Sequence, residues 1–340
     1  MKSSMLKPVL SAIIPARRPT LLTGAPGVGK TDIVKFIAAA LGMALVISHP
    51  VVADPTDSKG LAWPAKDGKS ATFIPIGQMV ELLNAKVPTL WFLDDLGQAT
   101  PAVQAAYMQW ILAREVNGHK LPDCVTIIAA TNRRQDRAGV TSILEPVKGR
   151  FATILEVEPC INDWTQWAFA NNMPHLLIAF LRLRPDLLLD FKPTADITNS
   201  PTPRNWASTG NLMNLNIPKE AHVDVYSGAV GKPAVTELVS FLQVANEMPS
   251  PDAVLMSPGN ADIPVKPSVM WALSGALVRL VTPNNFNRFL QYAMRVHDAG
   301  RGEFATFMTK SAVDVNAELS RTPEFLQLIS GPDAKKLGLN

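Results

Sequence analysis

Short runs of apolar residues alternate with helix-like patterns in the first half of the chain. The runs cover residues 20–23, 90–93 and 125–130, and each ends in polar residues. Such runs are typical of buried strands, whereas apolar positions that recur every three or four residues, as in 32–41 and 101–111, are typical of helices. The alternation predicts an α/β domain built around a parallel sheet.

The second half of the chain has helical patterning alone. It begins at residue 160, after a last predicted strand near 152–157, and it continues to the end of the sequence. We therefore predict three parts in chain order: an α/β core over 1–159, an all-α lid over 160–250, and a helical C-terminal extension over 251–340.

Two dipeptides interrupt the α/β alternation. Asp67-Gly68 and Asn117-Gly118 each lie between short apolar stretches. Asp-Gly and Asn-Gly favour the two-residue turns of β-hairpins. The sequence thus predicts hairpin inserts near 62–76 and 114–122.

The turn between the first strand and the first predicted helix carries the pattern G-x-x-x-x-G-K-[ST]. Its residues are Gly24, Ala25, Pro26, Gly27, Val28, Gly29, Lys30 and Thr31. In this pattern backbone N–H groups and the positive end of the helix face phosphate oxygens, the lysine reaches the β- and γ-phosphates, and the Thr31 hydroxyl holds magnesium. The alternative is a glycine-rich turn that caps an ordinary helix. The strand, loop and helix order favours ATP with Mg²⁺.

Acidic and amide side chains follow the other two predicted strands. Asp94 and Asp95 come after residues 90–93, and Asn132 comes after 125–130. Ligands of open α/β sheets bind at the carboxyl ends of the strands, so we expect these side chains beside the loop. Asp94 is expected to hold magnesium through water, Asp95 to orient or deprotonate the attacking water, and Asn132 to hydrogen-bond that water or the γ-phosphate. The alternative for Asn132 is a simple turn at a strand end.

Composition restricts the class of protein and its location more than it restricts the reaction. The chain has 340 residues, 47% hydrophobic and 18% charged, with a net charge of +3, which describes a globular protein with no strong case for nucleic acid. Cys124 and Cys160 lie far apart, so neither a disulfide framework nor a zinc site is predicted. The sequence predicts neither a secretory signal nor a membrane span, and we expect a cytoplasmic location.

Taken together, these residues make the chain resemble an AAA+ ATPase, and more narrowly the MoxR-like family. The resemblance covers residues 15–215. It rests on the phosphate-binding loop, the Asp94-Asp95 strand, Ala129-Ala130-Thr131-Asn132 as sensor 1, Gly149-Arg150-Phe151, and Thr202-Pro203-Arg204-Asn205-Trp206. The two hairpins are similar in position to the helix-2 insert and the pre-sensor-1 hairpin of the same clade.

The resemblance implies a three-layer αβα P-loop NTPase core and a homo-oligomeric ring, usually a hexamer, with ATP bound between subunits. Arg150 then matches the arginine finger offered to the neighbouring subunit, and Arg204 matches sensor 2 on the lid. The alternative for Arg204 is a surface arginine after a proline-rich turn. Arg133, Arg134 and Arg137 follow sensor 1 and either face the subunit interface or lie in solvent.

Asp95 departs from the family pattern, which usually has glutamate there. Aspartate is shorter by one methylene, and a displacement of ~1 Å in a catalytic group can cost ~10²-fold in rate. We therefore expect ATP hydrolysis to ADP and phosphate that is slow but real, and we expect Asp95→Glu to raise the rate unless the site has adapted to the shorter acid.

Three functions fit these features. The leading hypothesis is a chaperone-like ring that uses ATP to remodel or assemble a partner protein, and the resemblance implies a companion with a von Willebrand factor A domain. The second is a nucleic-acid motor or loader, less favoured because its inserts offer few basic residues beyond Lys66, Lys69, His119 and Lys120. The third is a slow, nucleotide-gated assembly scaffold.

Overall fold

The chain folds into two compact units in a computed structural model that describes residues 1–66, 68–136 and 143–339. The first unit contains residues 1–160 together with 191–195, and the second contains residues 161–190 together with those from 196 onward. Asp67 of the first predicted turn and Arg137 of the predicted arginine cluster lie outside the described residues.

The strands lie in the first unit. They are β1 (Thr20–Gly24), β2 (Ala44–Ser48), β3 (Leu61–Pro64), β4 (Ala71–Ile74), β5 (Thr89–Leu93), β6 (Glu115–Val116), β7 (His119–Lys120), β8 (Val125–Asn132) and β9 (Thr153–Glu156).

A five-stranded parallel sheet forms the centre of this unit. Its strand order is β2-β5-β8-β1-β9, and each neighbouring pair runs parallel. The register aligns Gly24 at the end of β1 with Asn132 at the end of β8. Because β5 lies on the other side of β8, the residues that follow it end at the same edge of the sheet.

Helices flank the sheet. Those of the first unit are α1 (Ser3–Ile13), α2 (Lys30–Ala40), α3 (Pro55–Lys59), α4 (Gln78–Leu83), α5 (Pro101–Leu112) and α6 (Glu145–Lys148). Trp91 of β5 packs on one face against Tyr107 and Trp110 of α5, with ring centroids 5.9 and 6.2 Å apart. All five residues of β5 are buried, as expected for a strand covered on both faces.

Helix α1 contains a proline, Pro8, in its interior. Leu6 and Leu10 are fully buried along one side of this helix, and their burial outweighs the backbone hydrogen bond that Pro8 cannot make. Phe36 of α2 is 51% exposed and lies under the Lys7 ammonium, 3.9 Å from the ring centroid. The cation–π contact gives it a partner outside the core.

The strands β3 and β4 form an antiparallel hairpin, called here the exposed hairpin, whose strand residues are all exposed. A second hairpin, β6 and β7, turns at Asn117 and Gly118, both with positive φ as a type I′ turn requires. The Asn117 Nδ2 donates to the Lys59 carbonyl at 2.9 Å, and the His119 Nε2 donates to the Phe73 carbonyl at 2.7 Å. The second hairpin is thereby tied to the base of the first.

The second unit is helical in its described residues. Its α-helices are α7 (Ile161–Ala170), α8 (His175–Leu183), α9 (Pro203–Met213), α10 (His222–Val230), α11 (Lys232–Ala245), α12 (Pro251–Met256), α13 (Pro267–Leu280), α14 (Phe286–Asp298), α15 (Gly302–Val315), α16 (Pro323–Ser330) and α17 (Asp333–Lys336). One apolar core extends from Trp164 to Leu337 and includes the buried helix α13.

The predicted fold class is confirmed: a parallel sheet with flanking helices is followed in the chain by a helical region. The division into core, lid and extension at residues 159 and 250 stays a prediction. The described residues on the two sides of position 250 share the core of the second unit.

Candidate nucleotide site

The loop between β1 and α2 has the backbone that a phosphate cradle needs. Gly27 and Gly29 have φ of 72° and 94°, values that side chains with a Cβ rarely adopt. Gly24 serves a different purpose, since a Cβ there would lie 2.8 Å from the Val157 carbonyl oxygen. Sterics therefore favour glycine at all three positions.

The side chain of Lys30 bonds the backbone of the loop. Its Nζ donates to the carbonyl oxygens of Gly24 and Ala25, both at 3.1 Å, and to the Asn132 Oδ1 at 2.6 Å. The side chain is only 7% exposed. These contacts keep a buried ammonium bonded at the mouth of the loop.

The predicted magnesium residues contact each other. The Thr31 Oγ1 donates to the Asp94 Oδ2 at 2.8 Å, and Asp94 is 8% exposed. Strand β5 delivers this carboxylate, and the first turn of α2 delivers the hydroxyl. A hydroxyl and a carboxylate are both oxygen ligands of the kind that Mg²⁺ prefers.

Asp95 has an unusual backbone. Its φ is 59° and its ψ is 35°, in the left-handed region where aspartate is among the few residues enriched. Its Oδ1 accepts from the Gln98 Nε2 at 2.9 Å. Within the part of the chain that the structure describes, the second carboxylate oxygen has no hydrogen-bond partner.

Gln98 was missed by the sequence analysis. Its amide oxygen is buried and has no hydrogen-bond partner among the described residues. The spacing of three residues from Asp95 is the only sequence signal, because residues one tight turn apart lie on the same side of the backbone.

Arg133 has a structural partner set. Its guanidinium donates to both carboxylate oxygens of Asp136, each at 2.9 Å, and to the Glu156 Oε1 at 3.0 Å. The hydrogen bonds to Asp136, aided by Glu156, raise the pKa of Arg133 above its usual range. Arg133 is therefore bonded within its own subunit, its neighbour Arg134 is exposed, and the expectation that this cluster faces a subunit interface or solvent stays a prediction.

The predicted arginine finger, Arg150, and the predicted sensor 2, Arg204, lie far apart in the sequence. Arg150 follows α6 in the first unit, is half-buried, and donates to the Pro146 carbonyl of its own subunit. Arg204 is exposed in the first turn of α9, where the Thr202 hydroxyl caps the helix and Trp206 is fully buried. It belongs to the second unit, and its role as sensor 2 stays a prediction.

The residues at this edge fit ATP with magnesium. The chain offers one buried ammonium, a glycine cradle, and a hydroxyl paired with a carboxylate. Across residues 1–66, 68–136 and 143–339, no cluster of three or more His, Cys, Asp or Glu side chains could hold a metal ion. A magnesium ion held by Thr31 and, through water, by Asp94 would take its remaining ligands from phosphate and water.

In its described residues the protein has no helix that is both long and apolar enough to cross a membrane.

A glycine loop, a paired hydroxyl and carboxylate, and a parallel sheet define the class of P-loop nucleotide-binding proteins. Residues 20–159 match the family model described as ATPase family associated with various cellular activities (AAA), so the chain contains an AAA ATPase family domain. A comparison with curated protein sequences found no match.

Solved structures give weak matches over most of the chain. The Thermotoga maritima RuvB Holliday junction branch migration motor has 16% identity, a TM-score of 0.42, and coverage of 81% of each chain. NtrX from Brucella abortus in complex with ADP has 14% identity and a TM-score of 0.39, covering 98% of this chain and 68% of that one.

Proposed function

We propose that the protein is an ATP-hydrolysing ring of the MoxR-like kind that remodels or assembles a partner protein. The observation that carries the ATPase part is the bonded network at the sheet edge, in which Lys30 contacts Asn132 and Thr31 contacts Asp94. The family domain over residues 20–159 supports the same activity.

Each side chain of the network has a part in this proposal. Lys30 and the loop N–H groups would hold the phosphates, and the Asp95 oxygen that Gln98 does not contact would accept a proton from the attacking water. Asn132 would exchange its contact with Lys30 for one with that water or the γ-phosphate. Bound magnesium would neutralise charge on the phosphate oxygens. Arg150 from a neighbouring copy would stabilise the transition state.

A protein partner is proposed because of the surface of the exposed hairpin. Leu61, Trp63 and Ile74 are 46%, 61% and 44% exposed. Apolar side chains grouped on a surface are typical of contacts with other proteins. A companion with a von Willebrand factor A domain remains part of the proposal through the resemblance alone.

A nucleic-acid motor has less support. Of the four basic side chains on the inserts, His119 already donates its Nε2 to the Phe73 carbonyl. Lys66, Lys69 and Lys120 are exposed near the hairpin turns as candidate phosphate contacts, which is a small supply for binding that depends on counterion release.

The test measures phosphate release by the purified protein with ATP and magnesium, together with the mass of the assembly in solution with and without nucleotide. We expect turnover, loss of turnover in Lys30→Met, and a ring that ATP stabilises. Absence of phosphate release from the assembled protein contradicts the ATPase proposal. Stimulation by DNA, lost at high salt, and none by a protein companion would favour the nucleic-acid motor. ATP-dependent ring formation and full cellular activity of Arg150→Ala would favour the scaffold.

A further inference from the structure

The contact between Asp95 and Gln98 joins two residues through two hydrogen bonds. The Gln98 backbone N–H donates to the Asp95 carbonyl at 3.0 Å, and the Gln98 Nε2 donates to the Asp95 Oδ1 at 2.9 Å. The intervening residues form one turn of 3-10 helix, Leu96–Gln98, which sets the amide over the carboxylate. One hydrogen bond closes the turn, and the other holds one oxygen of the Asp95 carboxylate.

Among the described residues, the amide of Gln98 makes a hydrogen bond through its nitrogen but not through its oxygen. Its oxygen is buried and has no partner in the described part of the chain. Gln104, a fully buried glutamine six residues on, donates to the Ala99 carbonyl at 3.0 Å and accepts from the Leu144 N–H at 2.9 Å. A buried amide with a purely structural role has hydrogen bonds at both its nitrogen and its oxygen, as Gln104 does. Within residues 1–66, 68–136 and 143–339, the one hydrogen bond that the Gln98 side chain makes is to Asp95.

The lengths of the two side chains match. Asp95 has a left-handed backbone, which aspartate tolerates better than glutamate does, and its short side chain ends where the longer glutamine reaches it. One more methylene at position 95 would carry the carboxylate past the amide.

We propose that Gln98 is a positioning residue for ATP hydrolysis, holding one oxygen of Asp95 so that the other faces the attacking water. The inference rests on the proposed function, in which Asp95 acts on that water. The site is then adapted to the shorter acid, because the long side chain of Gln98 reaches the Asp95 carboxylate.

The first experiment removes the amide while keeping the side-chain length. Gln98→Met should lower kcat at least about tenfold, since small displacements of a catalytic group are costly. KM for ATP and the affinity for a non-hydrolysable ATP analogue should stay within about twofold, because nothing that binds the phosphates has changed. Gln109→Met, at an exposed glutamine of α5, is the matched control and should keep the wild-type kcat. An unchanged kcat in Gln98→Met overturns the proposal.

The second experiment moves the methylene from one residue to the other. Asp95→Glu and Gln98→Asn should each lower kcat. The kcat of the double variant should be at least about fivefold higher than the two separate losses multiplied together would give, because neighbouring residues in contact are energetically coupled. A merely structural glutamine would give no such rescue. Independent losses, or a faster Asp95→Glu enzyme, overturn the proposal, and this readout decides even if Gln98→Met does not fold.

Failure of this inference and failure of the proposed function give different results. If the wild-type protein releases no phosphate, or if Asp95→Asn hydrolyses ATP at the wild-type rate, the proposed function of Asp95 is wrong. If both of those tests succeed and Gln98→Met is fully active, only the positioning role is wrong.

Discussion

The carboxyl edge of the five-stranded sheet and the exposed hairpin lie in the same unit but place their side chains in opposite ways. At the edge, Lys30 and Asp94 are 7% and 8% exposed, and each has a hydrogen-bonded partner. On the hairpin, Trp63 is 61% exposed. Buried charge must be compensated within the fold, whereas surface apolar groups contribute little to its core. The edge is thus organised for chemistry, and the hairpin is available for contact with another molecule.

The largest effect is expected from Asp95→Asn, which keeps the shape of the side chain and removes its basicity. If Asp95 takes the proton from the attacking water, kcat should fall ~10²- to 10⁴-fold. Binding of a fluorescent ATP analogue should be retained. Wild-type turnover in this variant would show that the edge uses another base.

Lys30→Met tests the same edge through binding. The ammonium makes three hydrogen bonds that phosphate oxygens would replace, so its loss should lower kcat/KM ~10²-fold or more and weaken nucleotide affinity. Calorimetric titration with ATP and magnesium measures the affinity. Lys35→Met, a lysine on the same helix outside the loop, is the control, and equal losses in both variants would argue against a specific role.

Arg133→Met separates stability from chemistry. The substitution leaves the Asp136 carboxylate, whose side chain is 8% exposed, without its bidentate partner. We expect a loss of about 2 kcal/mol in the free energy of unfolding, measured by urea denaturation. Arg134→Met, at the exposed neighbour, should change stability by less than about 0.5 kcal/mol. Equal stability of the two variants would mean that the ion pairs of Arg133 add nothing.

The smallest effect on the isolated protein is expected from Trp63→Ser. Stability should change by less than about 0.5 kcal/mol, and basal ATP hydrolysis should be unchanged, because the indole packs into no core. Stimulation by a purified companion with a von Willebrand factor A domain should be lost. Leu112→Ser, at a residue 65% exposed on α5, is the control. A stimulated Trp63→Ser protein would remove the hairpin from the proposed partner surface.

The parallel sheet was predictable because local patterns dictate it. Apolar runs that end in Asp94 and Asn132, and a glycine loop that ends in Lys30, place their polar groups at one edge whatever the rest of the chain does. The contact between Lys30 and Asn132 follows from this register.

The remaining features depend on contacts that no local pattern encodes. Pro8 suggests a helix break until the burial of Leu6 and Leu10 is known. Arg133 finds Glu156 only because β8 and β9 both pair with β1. The left-handed backbone of Asp95 is set by the turn after β5, which sequence spacing does not reveal.

The tie between the two hairpins has a mechanical consequence. Helix α5 begins just after the Asp95–Gln98 turn and ends at the β6–β7 hairpin, so a rigid rod of ~18 Å joins them. At its far end, His119 donates to the Phe73 carbonyl of the exposed hairpin, and Asn117 donates to the carbonyl of Lys59, the last residue of α3. The turn that carries Asp95 is therefore connected to the exposed hairpin through one helix, a short hairpin and these hydrogen bonds.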